Sequence, residues 1–375
     1  MNPNPTKGRV LVAMSGGIDS SVAAVLLHEA GYEVVGMTMK TWDYATAGGS
    51  KKETGCCSLD SINDARDIAV RLGFPHYIID IREEFGDYVI DNFTDEYLAG
   101  RTPNPCVLCN THIKWDALLR RADQLGCEFI ATGHYARIRQ DAETGRYVVS
   151  KGLDEAKDQS YALWGVSQQS LSRTLFPLGG LRKTEIYDEA RRRGFTALVN
   201  KPESYEICFI PDNDYRGFLR RRVPGLEARV AGGNFVTAGG RVLGQHEGYP
   251  FYTIGQRKGL GVALGYPAFV LAIRPETNEV VLGDYDELAS TRTTLHKLNL
   301  GKIASLEGRG LVPAVVRVRY HHAGAAALLE QVGPDEVQVY FTEPVHAITP
   351  GQAAVFYDGE DVLGGGWIKR HVIEE

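Results

Sequence analysis

The chain has 375 residues, 43% hydrophobic and 23% charged, with a formal net charge of −6. One hydrophobic core stops growing well below this length, so two or three domains are expected. The negative balance excludes a bulk polyanion binder, and any nucleic-acid contact must rest on local basic patches. The opening MNPNPTKGRV has no apolar leader core and no later stretch is apolar enough to span a membrane, which predicts a cytoplasmic location. Thiols stay reduced there, so spaced cysteines favour metal or redox chemistry over structural staples.

From residue 9 to about 210 the pattern is strand, helix, strand, helix. RVLVAMSG is a short β-branched run, and IDSSVAAVLLHEAG then carries apolar residues at helical spacing with a closing glycine. YEVVGMTMK is the next strand, and SLDSINDARDIAVRLG a helix with Ser58 or Asp60 as its cap. PHYIIDI is a strand, EEFGDYVIDNFTDEYLAG and THIKWDALLRRADQLG are helices, and CEFIATGHYARI is a further strand. Such alternation predicts an α/β fold, a doubly wound parallel sheet with helices on both faces. After about residue 225, glycine clusters separate short alternating runs: YPAFVLAIRP, NEVVLGD, PAVVRVRYHHAG, EVQVYFTEPVHAI and QAAVFYDGEDVLGGGWIK. The units expected are 1–212 (α/β), 213–290 (a small β-rich domain) and 291–375 (a C-terminal β-barrel).

MSGGIDSS, residues 14–21, lies where the first strand turns into the first helix, the ligand-binding position of open α/β sheets. Two glycines let several N–H groups face one anion, and the helix N-terminus adds partial positive charge. Ser15, Ser20 and Ser21 are candidate phosphate donors, and Asp19 a candidate holder of Mg²⁺. Lysine is absent from the loop, unlike the usual nucleotide P-loop. Met39, at the end of the second strand, is placed to pack on adenine or to fill the core. Gly133 allows a ligand close approach, and His134 beside it reads as structural.

RTPNPCVLCN, residues 101–110, holds two of the six cysteines on a stiff proline loop. A disulfide, a metal clip, a buried pair and a reactive pair all fit that spacing. With a helix starting near Asn110, the Cys109 thiolate would be stabilised by the helix dipole. Cys208, in the strand-like run ESYEICFIPD, is a candidate partner. Cys127 reads as a small core residue, and Cys56 and Cys57 have no assigned role. Basic clusters occur at 191–194, 218–224, 316–322 and 367–371. Alternation along a strand would put Arg317 and Arg319 on one face, beside Tyr320, where they can grip phosphate and stack on bases.

Taken together, AMSGGIDSSVA, GMTMKTWD, GCCSLDSINDAR, TPNPCVLCN, ATGHYAR, KDQSYAL, ESYEICFIP and TIGQRKGLG resemble the bacterial tRNA-specific 2-thiouridylases (the MnmA/TrmU family). The resemblance runs in order along nearly the whole chain. It implies an N-terminal ATP-pyrophosphatase domain, a central β-rich domain and a C-terminal tRNA-binding barrel. The activity implied is ATP-dependent replacement of O2 of the tRNA wobble uridine by sulfur. ATP would then be bound by Ala13, Met14, Ser15, Gly16, Gly17, Ile18, Asp19, Ser20, Met39 and Gly133, with Mg²⁺. The resemblance makes Cys109 the nucleophile and Cys208 the persulfide carrier, a pair able to form a disulfide. Asn104, Pro105 and Cys106 would meet the target base, and Lys157, Asp158, Gln159, Arg319 and Tyr320 the tRNA. A sulfur-donor protein, a cysteine desulfurase or relay, is implied as partner, and no membrane.

Many members of that family carry aspartate where this chain has Cys106. Two schemes therefore stand: a Cys109–Cys208 persulfide pair, or a [4Fe–4S] cluster ligated by Cys106, Cys109 and Cys208. A small-molecule ATP pyrophosphatase without RNA is the rival of another class.

Overall fold

In the computed structural model, residues 7–42, 58–201, 207–210, 212–262 and 265–370 are described. Strands β1 (Arg9–Ala13), β2 (Glu33–Lys40), β3 (His76–Asp80), β4 (Phe129–Ala131) and β7 (Thr174–Leu175) form a parallel sheet in the order β3-β2-β1-β4-β7. Val10, Leu11 and Val12 of β1 are fully buried, because helices cover both faces. Val10 and Val12 pack with helix α1 (Ile18–Glu29) and the helix Lys183–Arg192, while Leu11 packs with the helical runs over 82–98 and 105–124. Burial on both sides is why β1 reads as an unbroken apolar run. Helix α2 (Leu59–Leu72) starts at Ser58, whose side chain accepts from Ser61 N, and stops at Gly73 with φ 75°.

The stretch CEFIATGHYARI is not one strand. It breaks at 132–135, and β5 (Ala136–Gln140) leaves the parallel sheet to form a hairpin with β6 (Tyr147–Lys151). That hairpin extends the C-terminal sheet, with Ser150 opposite Asp361. The sequence ESYEICFIPD is also not a strand where described: 207–210 is a turn closed by Ile210 N to Ile207 O.

The central region opens with two short helices, Tyr215–Arg222 and Leu226–Val230, so it is not β from residue 213. Then β8 (Asn234–Val236), β9 (Val242–Gln245), β10 (Phe269–Arg274) and β11 (Glu279–Gly283) make a sheet in the order β10-β11-β8-β9. The last six strands are β12 (Ala289–Leu300), β13 (Val312–Arg317), β14 (Ala325–Gly333), β15 (Glu336–His346), β16 (Ala353–Asp358) and β17 (Asp361–Ile368). They run β12-β15-β14-β13-β16-β17, and β12 pairs again with β17, closing a six-stranded barrel around Leu295, Val316, Leu329, Val339 and Phe356. Among the described residues no helix is long and apolar enough to cross a membrane.

Candidate active site

The β1–α1 loop sits at the carboxyl end of the parallel sheet, between β2 and β4, where the strand order reverses. Gly16 has φ 70°, and a Cβ there would lie 1.9 Å from Ser61 O, so the turn admits glycine alone. Ser20 closes the loop: its Oγ accepts from Ser15 N at 3.1 Å, lies 3.2 Å from Ser15 Oγ and donates to Gly17 O. Gly17 is the N-cap of α1 and offers no side-chain cap, leaving first-turn N–H groups available to an anion. Ala13 ends β1, whereas Met14 and Ile18 are buried, so these two would serve a ligand through backbone only. Met39 is half-buried against the core at the end of β2. Gly133 is needed for packing: a Cβ would stand 2.9 Å from Ser20 N. The close approach there is made by the start of α1.

Although the loop has no lysine, the fold brings two to it. Lys183 Nζ donates to both oxygens of Asp19, at 2.8 and 2.9 Å, and is 9% exposed. It lies between the rings of Tyr135 and Tyr187, 5.8 and 5.2 Å from their centroids. Tyr135 Oη also donates to Asp19, at 2.6 Å. Lys201 Nζ donates to Gly16 O, Ser61 Oγ and Asp64, tying the loop to α2. Both lysines are more than 160 residues away from the loop in sequence, and no local motif announces them. The Asp19 carboxylate, expected to hold Mg²⁺, is thus already neutralised by a side chain.

The helical run over 105–124 begins earlier than the sequence suggests. Asn104 caps it by accepting from Val107 N, and Pro105 occupies its first turn. The Asn-Pro pair was the available signal. Cys106 is therefore the thiol at the helix start, and it is exposed; Cys109 lies a turn further in and is buried. Cys109 is therefore not at the helix N-terminus, where the dipole would stabilise its thiolate. Cys106 is reached by water yet surrounded by protein, and this desolvation raises its thiol pKa, with Lys114 opposing. His134 packs on Trp115 and Phe176, and burial lowers its pKa to about 3, a neutral ring in a structural setting. Cys127 is buried, and Cys208 is exposed. No disulfide joins any two of Cys106, Cys109, Cys127 and Cys208; Cys56 and Cys57 lie outside the described residues. Among the described residues no three His, Cys, Asp or Glu side chains converge on a metal position. The described ligands thus fit neither an iron–sulfur cluster on Cys106, Cys109 and Cys208 nor a protein cage for Mg²⁺.

KDQSYAL is tied to the barrel. Asp158 is buried, accepts from Gly152 N, Ser160 N and Ser160 Oγ, and pairs with Arg317 at 3.3 Å. Tyr320 Oη donates to Asp158 O, and Tyr161 Oη to Ala353 O. Gln159 exchanges hydrogen bonds with the Tyr135 backbone, and Lys157 is half-buried. Gln352 donates to Thr102 O and Pro103 O, so the barrel also holds the Cys106 loop. β13 ends at Arg317, and the alternation runs on past it: Val316 and Val318 are buried, while Arg317, paired with Asp158, and exposed Arg319 fall on the other side, followed by exposed Tyr320. In the other basic runs, Arg191, Arg192 and Arg193 pair with Asp188, Glu189 and Glu29, Arg220–Arg222 pair with acids, and Lys369 and Arg370 pair with Glu336 and Glu276. Those runs are compensated surfaces.

Three family models match in succession: a tRNA methyl transferase HUP domain over 8–212, a tRNA methyl transferase PRC-barrel domain over 218–284 and an aminomethyltransferase beta-barrel domain over 294–368. The chain is 70% identical to a tRNA-specific 2-thiouridylase MnmA of Amoebophilus asiaticus, across 97% of this chain and 96% of that one. It is 69% identical to one of Cytophaga hutchinsonii (97% and 98% covered) and 61% identical to one of Salinibacter ruber (96% and 94%). Kinship of this depth leaves no domain unmatched, and the chain belongs to the tRNA-specific 2-thiouridylase family.

Proposed function

We propose that this protein is an ATP-dependent tRNA sulfurtransferase that installs sulfur at C2 of the wobble uridine. The observation that carries the reading is the end-to-end identity with curated 2-thiouridylases, joined to a glycine turn at the carboxyl end of the parallel sheet and an exposed cysteine at a helix start. The units 1–212, 213–290 and 291–375 divide the labour as adenylation, bridging and tRNA docking. We assign the reaction to the cytoplasm, where tRNA and ATP meet.

A pyrimidine carbonyl is a poor electrophile. The loop from Ala13 to Ser20 would bind the ATP phosphates, with Met39 toward the base, while O2 of uridine attacks the α-phosphorus and pyrophosphate departs. The target base must leave its stack to reach the cleft, where Asn104, Pro105 and Cys106 border it. Cys208 persulfide then supplies its outer sulfur to C2, AMP leaves, and Cys109 thiolate takes the inner sulfur of Cys208, forming a Cys109–Cys208 disulfide. A thiol reductant and a sulfur-donor protein reset the pair. ATP brings Mg²⁺ as its own counter-ion, held by phosphate oxygens and water. Lys157, Asp158, Gln159, Arg319 and Tyr320 form the tRNA contact, with Tyr320 fixed by its bond to Asp158 O.

The test is nucleoside mass spectrometry of unmodified tRNA incubated with the full chain, ATP and a persulfide donor. 2-Thiouridine should form with the wild type and vanish with Cys109→Ser and with Cys208→Ser. Formation by either variant at wild-type rate refutes the persulfide pair, and no product from wild type refutes the reading as a whole.

A further inference from the structure

The lysine pair beneath the loop raises a question that phosphate binding alone does not answer: why a carboxylate stands beside an anion site at all. Asp19 is in the first turn of α1, whose free N–H groups are the anion-binding element. Its side chain remains 34% exposed, so an unneutralised Asp19 would place a negative charge where the phosphates must come. Every described contact to that carboxylate comes from two side chains, Tyr135 and Lys183. Lys183 is itself confined. It is 9% exposed, and the Tyr135 and Tyr187 rings flank its ammonium group. Its backbone N–H is fixed to Asp154 at 2.8 Å. A lysine so enclosed and bonded to both oxygens of Asp19 has little freedom to follow a ligand.

We propose that Lys183 is a positioning residue of the ATP site, acting through Asp19: it cancels and orients that carboxylate, so that the α1 N-terminus presents a net positive field to the nucleotide phosphates. The inference rests on the ATP reading of the loop. Its strict consequence is non-additivity, because a residue that works through Asp19 has nothing to do once Asp19 is neutral.

The experiment is calorimetric ATP binding to the full chain, without tRNA, for wild type, Lys183→Met, Asp19→Asn and the double variant, with thermal unfolding of each. Lys183→Met should weaken ATP binding tenfold or more, and Lys183→Arg should restore most of the loss. In the Asp19→Asn background, adding Lys183→Met should change ATP affinity by less than threefold. A tenfold loss in that background overturns the proposal, since Lys183 would then act on the phosphates directly. Lys183→Met binding ATP as wild type does overturns it too. If Lys183→Met does not fold, the comparison of Asp19→Asn with the double variant decides alone. Wild-type chain that binds no ATP removes instead the reading on which the inference rests.

Discussion

Gly16→Ala tests the loop geometry most directly. Gly16 sits at φ 70°, and an added Cβ would stand 1.9 Å from Ser61 O and 2.5 Å from Ser61 C. The left-handed conformation alone costs a non-glycine residue about 1–2 kcal/mol. Relieving the overlap means pushing the start of α2 or the loop aside by about 1.5 Å, and overpacking of that kind costs about 1–3 kcal/mol. The displaced carbonyl belongs to the turn where Lys201 bridges Gly16, Ser61 and Asp64, so the distortion falls on the phosphate-facing backbone. The penalty of about 2–5 kcal/mol falls on the folded chain, and the part of it that moves the loop N–H groups should weaken ATP binding about tenfold or more, about 1.4 kcal/mol. Gly17→Ala is the control. Gly17 has φ −93°, and its Cβ would meet only Ser15 Oγ at 3.5 Å; alanine at this N-cap costs about 1 kcal/mol or less, under about fivefold in affinity. Isothermal calorimetry with ATP measures both. Gly16→Ala within fivefold of wild type, or Gly17→Ala losing as much as Gly16→Ala, would refute the argument.

Alkylation with iodoacetamide should modify exposed Cys106 before buried Cys109 in the native protein, and the Cys106 rate should keep rising above pH 9, because desolvation raises its pKa; a plateau below pH 8, followed by peptide mass spectrometry, would contradict this. Arg319→Ala should weaken tRNA binding and lower the slope of log affinity against log salt by about one, as its guanidinium is exposed and donates to His346 O; an unchanged slope would place it off the RNA. His134, with its pKa lowered to about 3, stays neutral when folded, while the unfolded chain takes up a proton below pH 6.5. Its contribution is constant above pH 6.5 and is lost as pH falls from 6.5 toward 3. His134→Gln should therefore lose about 2 kcal/mol less stability than wild type between pH 7 and pH 5 in urea titrations, and equal losses would deny the burial.

Much of the architecture was legible because it is written in local pattern. The β1 run, the capped helix at Ser58 and the glycine turn at 16–17 each follow from neighbours a few residues apart, as do the alternating strands β10, β11 and β15–β17. The glycine turn of the β1–α1 loop and the spacing of Cys106 and Cys109 are local in the same way. The helix start at Asn104–Pro105 is equally local. Other features have no local trace. Lys183 reaches Asp19 across 164 positions, and Arg317 reaches Asp158 across 159. A lysine or arginine in a surface-like run carries no mark of the buried acid it will meet. Nor does the β5–β6 hairpin, whose alternation fits any sheet, state that its partner is β17 at the far end of the chain. Backbone propensity and hydrophobic period act over a turn or a strand, so the sequence by itself determined most of the elements of the parallel sheet and of the barrel. Charge pairing and sheet-edge pairing act through space, and only the packed structure decided which distant side chains complete the loop and which strands join the domains.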